Sequence, residues 1–182
     1  SVPLEERGYA LGDMVIGAED APVEIIEYSS LLCPHCADFH TDNWPAIKTE
    51  YVDSGQAKLV FRDVIGNQVG LWATMLVRCG GEEAFWESLA IFMAQQDSFI
   101  SAVQGDGPGP ALQQTGRVLG LSSQRLQQCL TDEEYMTRIV EDLQANMAEY
   151  DVESTPTFFI NGDRHSGNRP AEKFGALIEE KL

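Results

Sequence analysis

Two cysteines separated by two residues, in Cys33-Pro34-His35-Cys36, are the residues of this chain best suited to covalent chemistry. A thiolate attacks a disulfide sulfur, and a partner thiol one helical turn later resolves the mixed disulfide that forms. Attack needs a stabilised thiolate. A helix N-terminus supplies one, through unpaired backbone N–H groups and the positive end of the helix dipole. The neighbouring residues predict that placement for Cys33. Val23–Tyr28 is an apolar, β-branched run of strand length, Ser29-Ser30 loosens it, and Pro34 sits where a helix tolerates proline, at its first position. Cys33 is therefore the expected nucleophile, and Cys36, inside the first turn, the less exposed resolving thiol. His35 lies between them, and an imidazolium there favours the Cys33 thiolate and so makes the disulfide a stronger oxidant. The same residues also admit a metal reading, because Cys36 and His40 lie four apart on one helical face beside Cys33. Closed zinc sites use four protein ligands, and no second C-x-x-C supplies the rest, so the redox reading is preferred.

Far downstream stands Thr155-Pro156-Thr157-Phe158-Phe159-Ile160-Asn161-Gly162. Together with Asp20-Ala21-Pro22-Val23 and Ser166-Gly167-Asn168-Arg169-Pro170, the C-P-H-C stretch resembles the DsbA family of thioredoxin-fold thiol:disulfide oxidoreductases, over nearly the whole chain from about residue 12. The resemblance implies an α/β, thioredoxin-like fold with an inserted all-helical domain. It implies an enzyme that donates the Cys33–Cys36 disulfide to reduced, exported proteins, without a cofactor, as a monomer in the bacterial periplasm. It also implies reoxidation by a quinone-linked membrane protein of the DsbB type.

Individual roles follow from the same resemblance. Glu27 takes the place of a buried acid that relays the resolving thiol's proton, although by residue type alone Glu24 is equally eligible. Thr155-Pro156 resembles the family's cis-proline loop, which faces the cysteines, pairs with substrate backbone and leaves a carbonyl edge free for it. Cys79 and Cys129 resemble the family's structural disulfide, whereas four cysteines by themselves leave the connectivity open. Strong oxidases of the family often carry valine before the proline, and threonine also occurs in isomerase-type relatives. A disulfide isomerase or reductase is thus the alternative within the fold, and a zinc-binding module through Cys33, Cys36 and His40 the alternative outside it.

The elements that must position these residues are legible from pattern. Gly12–Ile16 allows a short edge strand. Val23–Tyr28 alternates so that Val23, Ile25 and Glu27 share a face. A helix is predicted from Pro34 to about Asp53, bent near Pro45, then a strand over Ala57–Val64, so that the opening reads as a parallel β-α-β unit. Residues 67–150 carry apolar stripes at helical spacing (Phe85, Leu89, Phe92; Tyr135, Ile139, Leu143, Met147) and predict an insertion of about four helices. Thr131 and Glu134 suggest a capping box, and Gly105-Asp106-Gly107-Pro108-Gly109-Pro110 a loop. A strand at Thr157–Ile160, a type I′ turn at Asn161-Gly162, a strand near Arg164–Ser166 and a last helix from Pro170 close the chain. The predicted domains are residues 1–66 and 151–182 for the sheet, and 67–150 for the insertion.

A formal charge of −17, from 29 acidic and 12 basic residues, argues against nucleic acid or anionic lipid as a partner. No apolar run reaches the ~20 residues a membrane helix needs. The chain opens Ser1-Val2-Pro3 without a basic-apolar leader, which leaves open whether one preceded it.

Overall fold

In the computed structural model, which describes residues 1–182, a short 3₁₀ turn at Leu4–Glu6 precedes β1 (Met14–Ile16), β2 (Val23–Ser29), α1 (Pro34–Asp38), α2 (Trp44–Ile47) and β3 (Ala57–Asp63). Helices α3 (Gln68–Arg78), α4 (Phe85–Ala94), α5 (Gln96–Asp106), α6 (Pro108–Val118), α7 (Ser123–Leu130) and α8 (Glu133–Glu149) follow. The chain ends in β4 (Thr157–Ile160), β5 (Asp163–Ser166) and α9 (Ala171–Glu179). It divides into two units: Ser1–Gly12 with Ile65–Glu149, and Asp13–Val64 with Tyr150–Leu182.

The second unit holds one sheet, ordered β1-β3-β2-β4-β5. Only β2 and β3 pair in parallel; the other neighbours are antiparallel. β2 lies at the centre, with Glu27 opposite Phe61 of β3 and Phe158 of β4. Its alternation sends Val23, Ile25, Glu27 and Ser29 to one face and Ile26 and Tyr28 to the other. On the first face Phe39, Phe158 and Phe174 pack ring against ring, with centroids 4.7 to 5.2 Å apart, which ties α9 to the helical segment after Cys33. On the opposite face Tyr150 stacks on Phe159 at 3.9 Å. The β4–β5 turn is built as its residues require: Asn161 and Gly162 both take positive φ, 46° and 90°.

The segment predicted as one helix from Pro34 is helical to Val52, but two wide π turns, Phe39–Asn43 and Lys48–Val52, flank α2. The irregularity expected at Pro45 takes that form. Proline brings no N–H and crowds the carbonyl four residues back, and an expanded turn before it relieves both.

The first unit departs from expectation in four ways. It contains six α-helices rather than four. The Gly/Pro stretch is not a loop: α5 runs to Asp106, α6 starts at Pro108, and Gly107 alone (φ 92°) breaks the path. Pro108 and Pro110 lie in a first turn, where their missing N–H groups have no intrahelical partner to lose. Thr131 does not cap α8; its hydroxyl donates back to the Gln127 carbonyl at 2.7 Å, while Asp132 accepts the Tyr135 N–H at 3.2 Å. Asp132 lies nearer the helix start and carries a charge that favours it.

Residues 1–12, expected with the sheet, belong with the helices. Arg7 binds Asp132 at 2.9 Å and Glu134 at 2.8 Å, Tyr9 stacks on Tyr135 at 4.1 Å, and the Ala10 N–H reaches the Arg78 carbonyl at 2.9 Å. Polar side chains of this stretch, Arg7 and Tyr9, make these contacts. Cys79, at the end of α3, and Cys129, in the last turn of α7, form a disulfide with Cα atoms 5.9 Å apart, inside a core shared with Tyr9, Met75 and Tyr135.

Candidate active site

Cys33 is the N-cap of α1, in extended backbone (φ −88°, ψ 120°), and Pro34 takes the first helical position. The Cys33 carbonyl accepts the Ala37 N–H at 3.1 Å, so the turn closes directly behind the sulfur. Cys33 is half-buried and Cys36 fully buried, and both are free thiols. Pro34 and His35 are exposed between them.

The two sulfurs differ in kind. The Cys36 thiol donates to Cys33, the largest of several influences that bring the Cys33 pKa from its usual 9.0 down to about 5. Burial opposes that fall, and the Thr155 hydroxyl and the backbone N–H groups of Cys36 and His35 add to it. Cys36 moves the other way, pushed up first by its bond to Cys33 and then by burial. The part His35 plays in this shift is that of its backbone N–H. An N–H of the first helical turn points at the sulfur.

Thr155 and Pro156 face this pair. Their peptide bond is cis. The Cys33 thiol lies 3.5 Å from the Thr155 carbonyl, so the carbonyl edge expected to stand free is turned to Cys33. Two bonds pin the loop: the Gly167 N–H to the Pro156 carbonyl at 2.8 Å, and the Thr157 hydroxyl to the Ser154 carbonyl at 2.6 Å.

Glu27 is completely buried, where strand alternation alone could not separate it from Glu24. Both of its carboxylate oxygens meet His40 Nε2, at 2.8 and 3.0 Å. His40 is itself buried against Phe61 and Trp44. The histidine weighed as a metal ligand thus faces a carboxylate, and no group of three or more His, Cys, Asp or Glu side chains converges on a point that would hold a metal ion. Cys79 and Cys129 belong to the other unit.

The end of β2 joins the site in a way that residue type alone does not reveal. The Ser30 N–H donates to Cys36 Sγ at 3.4 Å, and the neighbouring Ser29 is buried. The signal was available, since Ser29 stands two residues beyond Glu27 on the same strand face.

Comparison with known proteins extends this picture. A family model described as Thioredoxin matches residues 10–180. A Rickettsia bellii protein bearing the name protein-disulfide oxidoreductase is 28% identical over 172 residues, which are 92% of this chain and 65% of that protein. Across the Rickettsia relatives this chain spans between 54% and 65% of their length. Disulfide bond formation protein D of Bacillus subtilis is 26% identical over 176 residues, covering 94% of this chain and 78% of its own. Among solved structures, Wolbachia pipientis alpha-DsbA1 has a TM-score of 0.83 at 28% identity, covering 98% of this chain and 92% of that one. A match that leaves out only the chain's ends, and a solved relative that follows both the sheet and the helices, lead to one conclusion: the chain belongs to the thioredoxin family, in its DsbA-like form.

Proposed function

We propose that this protein is a thiol:disulfide oxidoreductase that donates the Cys33–Cys36 disulfide to reduced, exported polypeptides. The observation that carries the proposal is the unequal pair of sulfurs, one half-buried and favouring the thiolate, the other buried and favouring the thiol. In the oxidised enzyme a substrate thiolate attacks Cys33 Sγ, the Cys33–Cys36 bond breaks, and its electron pair goes to Cys36. A second substrate thiolate then attacks the substrate sulfur of the mixed disulfide, and Cys33 leaves as a thiolate. A leaving group that remains ionised near neutral pH leaves fast and stabilises the reduced enzyme, so the pair favours giving its disulfide away.

Glu27 serves as the buried acid of this cycle, with His40 holding its carboxylate. Thr155 and Pro156 receive the substrate backbone beside Cys33. Cys79–Cys129 is structural. The protein acts as a monomer in the bacterial periplasm, where disulfides persist, and a quinone-linked membrane partner of the DsbB type returns it to the disulfide form. Thr155, the residue that raised the isomerase reading, supports the oxidase instead, because its hydroxyl favours the Cys33 thiolate.

The test is transfer to a reduced, unfolded protein. The oxidised enzyme should deliver its disulfide, Cys33→Ser should deliver none, and Cys36→Ala, which has no disulfide to give, should accumulate mixed disulfides through Cys33 when it is presented with a disulfide-bonded protein. If Cys36→Ala captures no disulfide-bonded protein and the wild type oxidises nothing, the exchange mechanism is wrong.

A further inference from the structure

Ser29 is the last residue of β2, on the face it shares with Val23, Ile25 and Glu27. It is wholly buried, and its hydroxyl is a buried side-chain polar atom without a hydrogen-bond partner. Folded proteins rarely leave such a group unpaired, so its surroundings require an account.

Those surroundings are the resolving sulfur. Cys36 Sγ receives the Ser30 N–H at 3.4 Å, so the chain that leaves β2 passes directly over it. Strand and helix also share a spacing here. Glu27 and Ser29 are two apart on one strand face, while His40 and Cys36 are four apart on one helical face. Glu27 meets His40. The other pairing in this arrangement sets Ser29 beside Cys36.

We infer that the Ser29 hydroxyl is the donor that receives negative charge on Cys36 when the Cys33–Cys36 disulfide is opened. The inference rests on the exchange mechanism proposed above and assigns a residue to its first step. A substrate thiolate forms a bond to Cys33 Sγ, the Cys33–Cys36 bond breaks, and the electron pair arrives on Cys36 Sγ. That sulfur is fully buried, so protein dipoles must take the place of water. The Ser30 N–H is one such dipole, fixed by the backbone. The Ser29 O–H is a second, and it can rotate, unpaired while Cys36 holds its proton and turned to the sulfur when the charge appears. Both oxygens of Glu27 are engaged by His40. In agreement, the Ser29 hydroxyl and the Ser30 N–H both favour the ionised form of Cys36, against burial and the bond to Cys33.

The experiment uses the full chain, oxidised at Cys33–Cys36, with reduced glutathione as the attacking thiol and acid-quenched mass spectrometry as the readout. Ser29→Ala should slow mixed-disulfide formation about tenfold, the loss expected for one hydrogen bond to a charged group. Its equilibrium constant with glutathione should not move, because a donor to a transient thiolate changes forward and reverse rates alike. Reduced Ser29→Ala should unfold in urea at the wild-type midpoint or above it, since the hydroxyl it loses is unpaired there. Ser29→Thr, which keeps the hydroxyl, should recover rate. Wild-type rates in Ser29→Ala overturn the inference, and so does a slow variant whose stability and equilibrium constant fall with its rate, since that marks a packing role. A wild-type protein that fails to exchange with glutathone at all overturns instead the mechanism on which the inference rests.

Discussion

The thiol of Cys36 is hydrogen-bonded to Cys33, and one shared proton sets the two sulfurs apart. It lowers the Cys33 pKa to about 5 and raises that of Cys36, so at neutral pH the half-buried member of the pair is the ionised one. A brief iodoacetamide pulse at pH 7 should therefore label Cys33 and spare Cys36. Over a pH series the labelling rate should fall through a midpoint near 5. Label found mainly on Cys36, or a midpoint in the ordinary thiol range of about 8.5, would reverse the assignment.

Thr155 acts on the same sulfur from the facing loop. Its hydroxyl favours the thiolate, so Thr155→Val should move the Cys33 midpoint upward and shift the glutathione equilibrium toward the oxidised enzyme. Both readouts come from the same samples. A midpoint that stays or falls would mean that the carbonyl at 3.5 Å, not the hydroxyl, governs Thr155's influence.

His40 is coupled to Glu27. Replacing His40 by leucine leaves a fully buried carboxyl group without its partner and should lower the unfolding free energy by about 3 kcal/mol. Replacing both residues by leucine should recover most of that loss, because the orphaned group is gone. Urea unfolding of the two singles and the double measures the coupling. Additive losses would show that the 2.8 Å contact contributes little.

The Cys79–Cys129 bridge spans a sequence separation of 50. In the chain-entropy picture, closing a loop of that size stabilises the fold by roughly 4 kcal/mol. Replacing both cysteines by alanine should lower the unfolding midpoint accordingly, while glutathione exchange at Cys33–Cys36 continues at its former rate. Loss of exchange at unchanged stability would give the second pair a redox role.

How much of this could be read from residues alone depended on whether the signal was local. The C-x-x-C at a strand-to-helix junction is local, and so is the Asn161-Gly162 turn, whose residues suit positive φ. Glu27 needed tertiary information: alternation defines two faces, but only the helix beginning at Pro34 shows which one it covers. His40 was noticed for its spacing from Cys36, yet its partner lay thirteen residues back on another element. Ser29 was read with Ser30 as a strand-loosening pair, because residue type does not distinguish a hydroxyl over a sulfur from one at a turn. Proline at 108 and 110 misled in the other direction, since the same residue that interrupts a helix interior opens a helix.

The central claim is that reducing Cys33–Cys36 releases a stabilised thiolate, and its sign with pH can be worked out. The Cys33 pKa is depressed in the folded protein, so its contribution to reduced-state stability is fully present above the usual 9.0 and lost as pH falls through about 5. Cys36, whose pKa is raised, opposes this only above the ordinary thiol range, and the oxidised protein has neither group. The most direct measurement is an equilibrium titration of the Cys33–Cys36 pair against glutathione between about pH 6 and 8, where the glutathione thiol stays largely protonated. The constant [reduced enzyme][oxidised glutathione]/[oxidised enzyme][reduced glutathione]² should rise roughly tenfold per pH unit, since one proton is released on reduction, and the enzyme should remain reduced in mixtures that keep ordinary structural disulfides closed. A constant independent of pH, with the pair still oxidised in those mixtures, would contradict the thiolate and with it the oxidase.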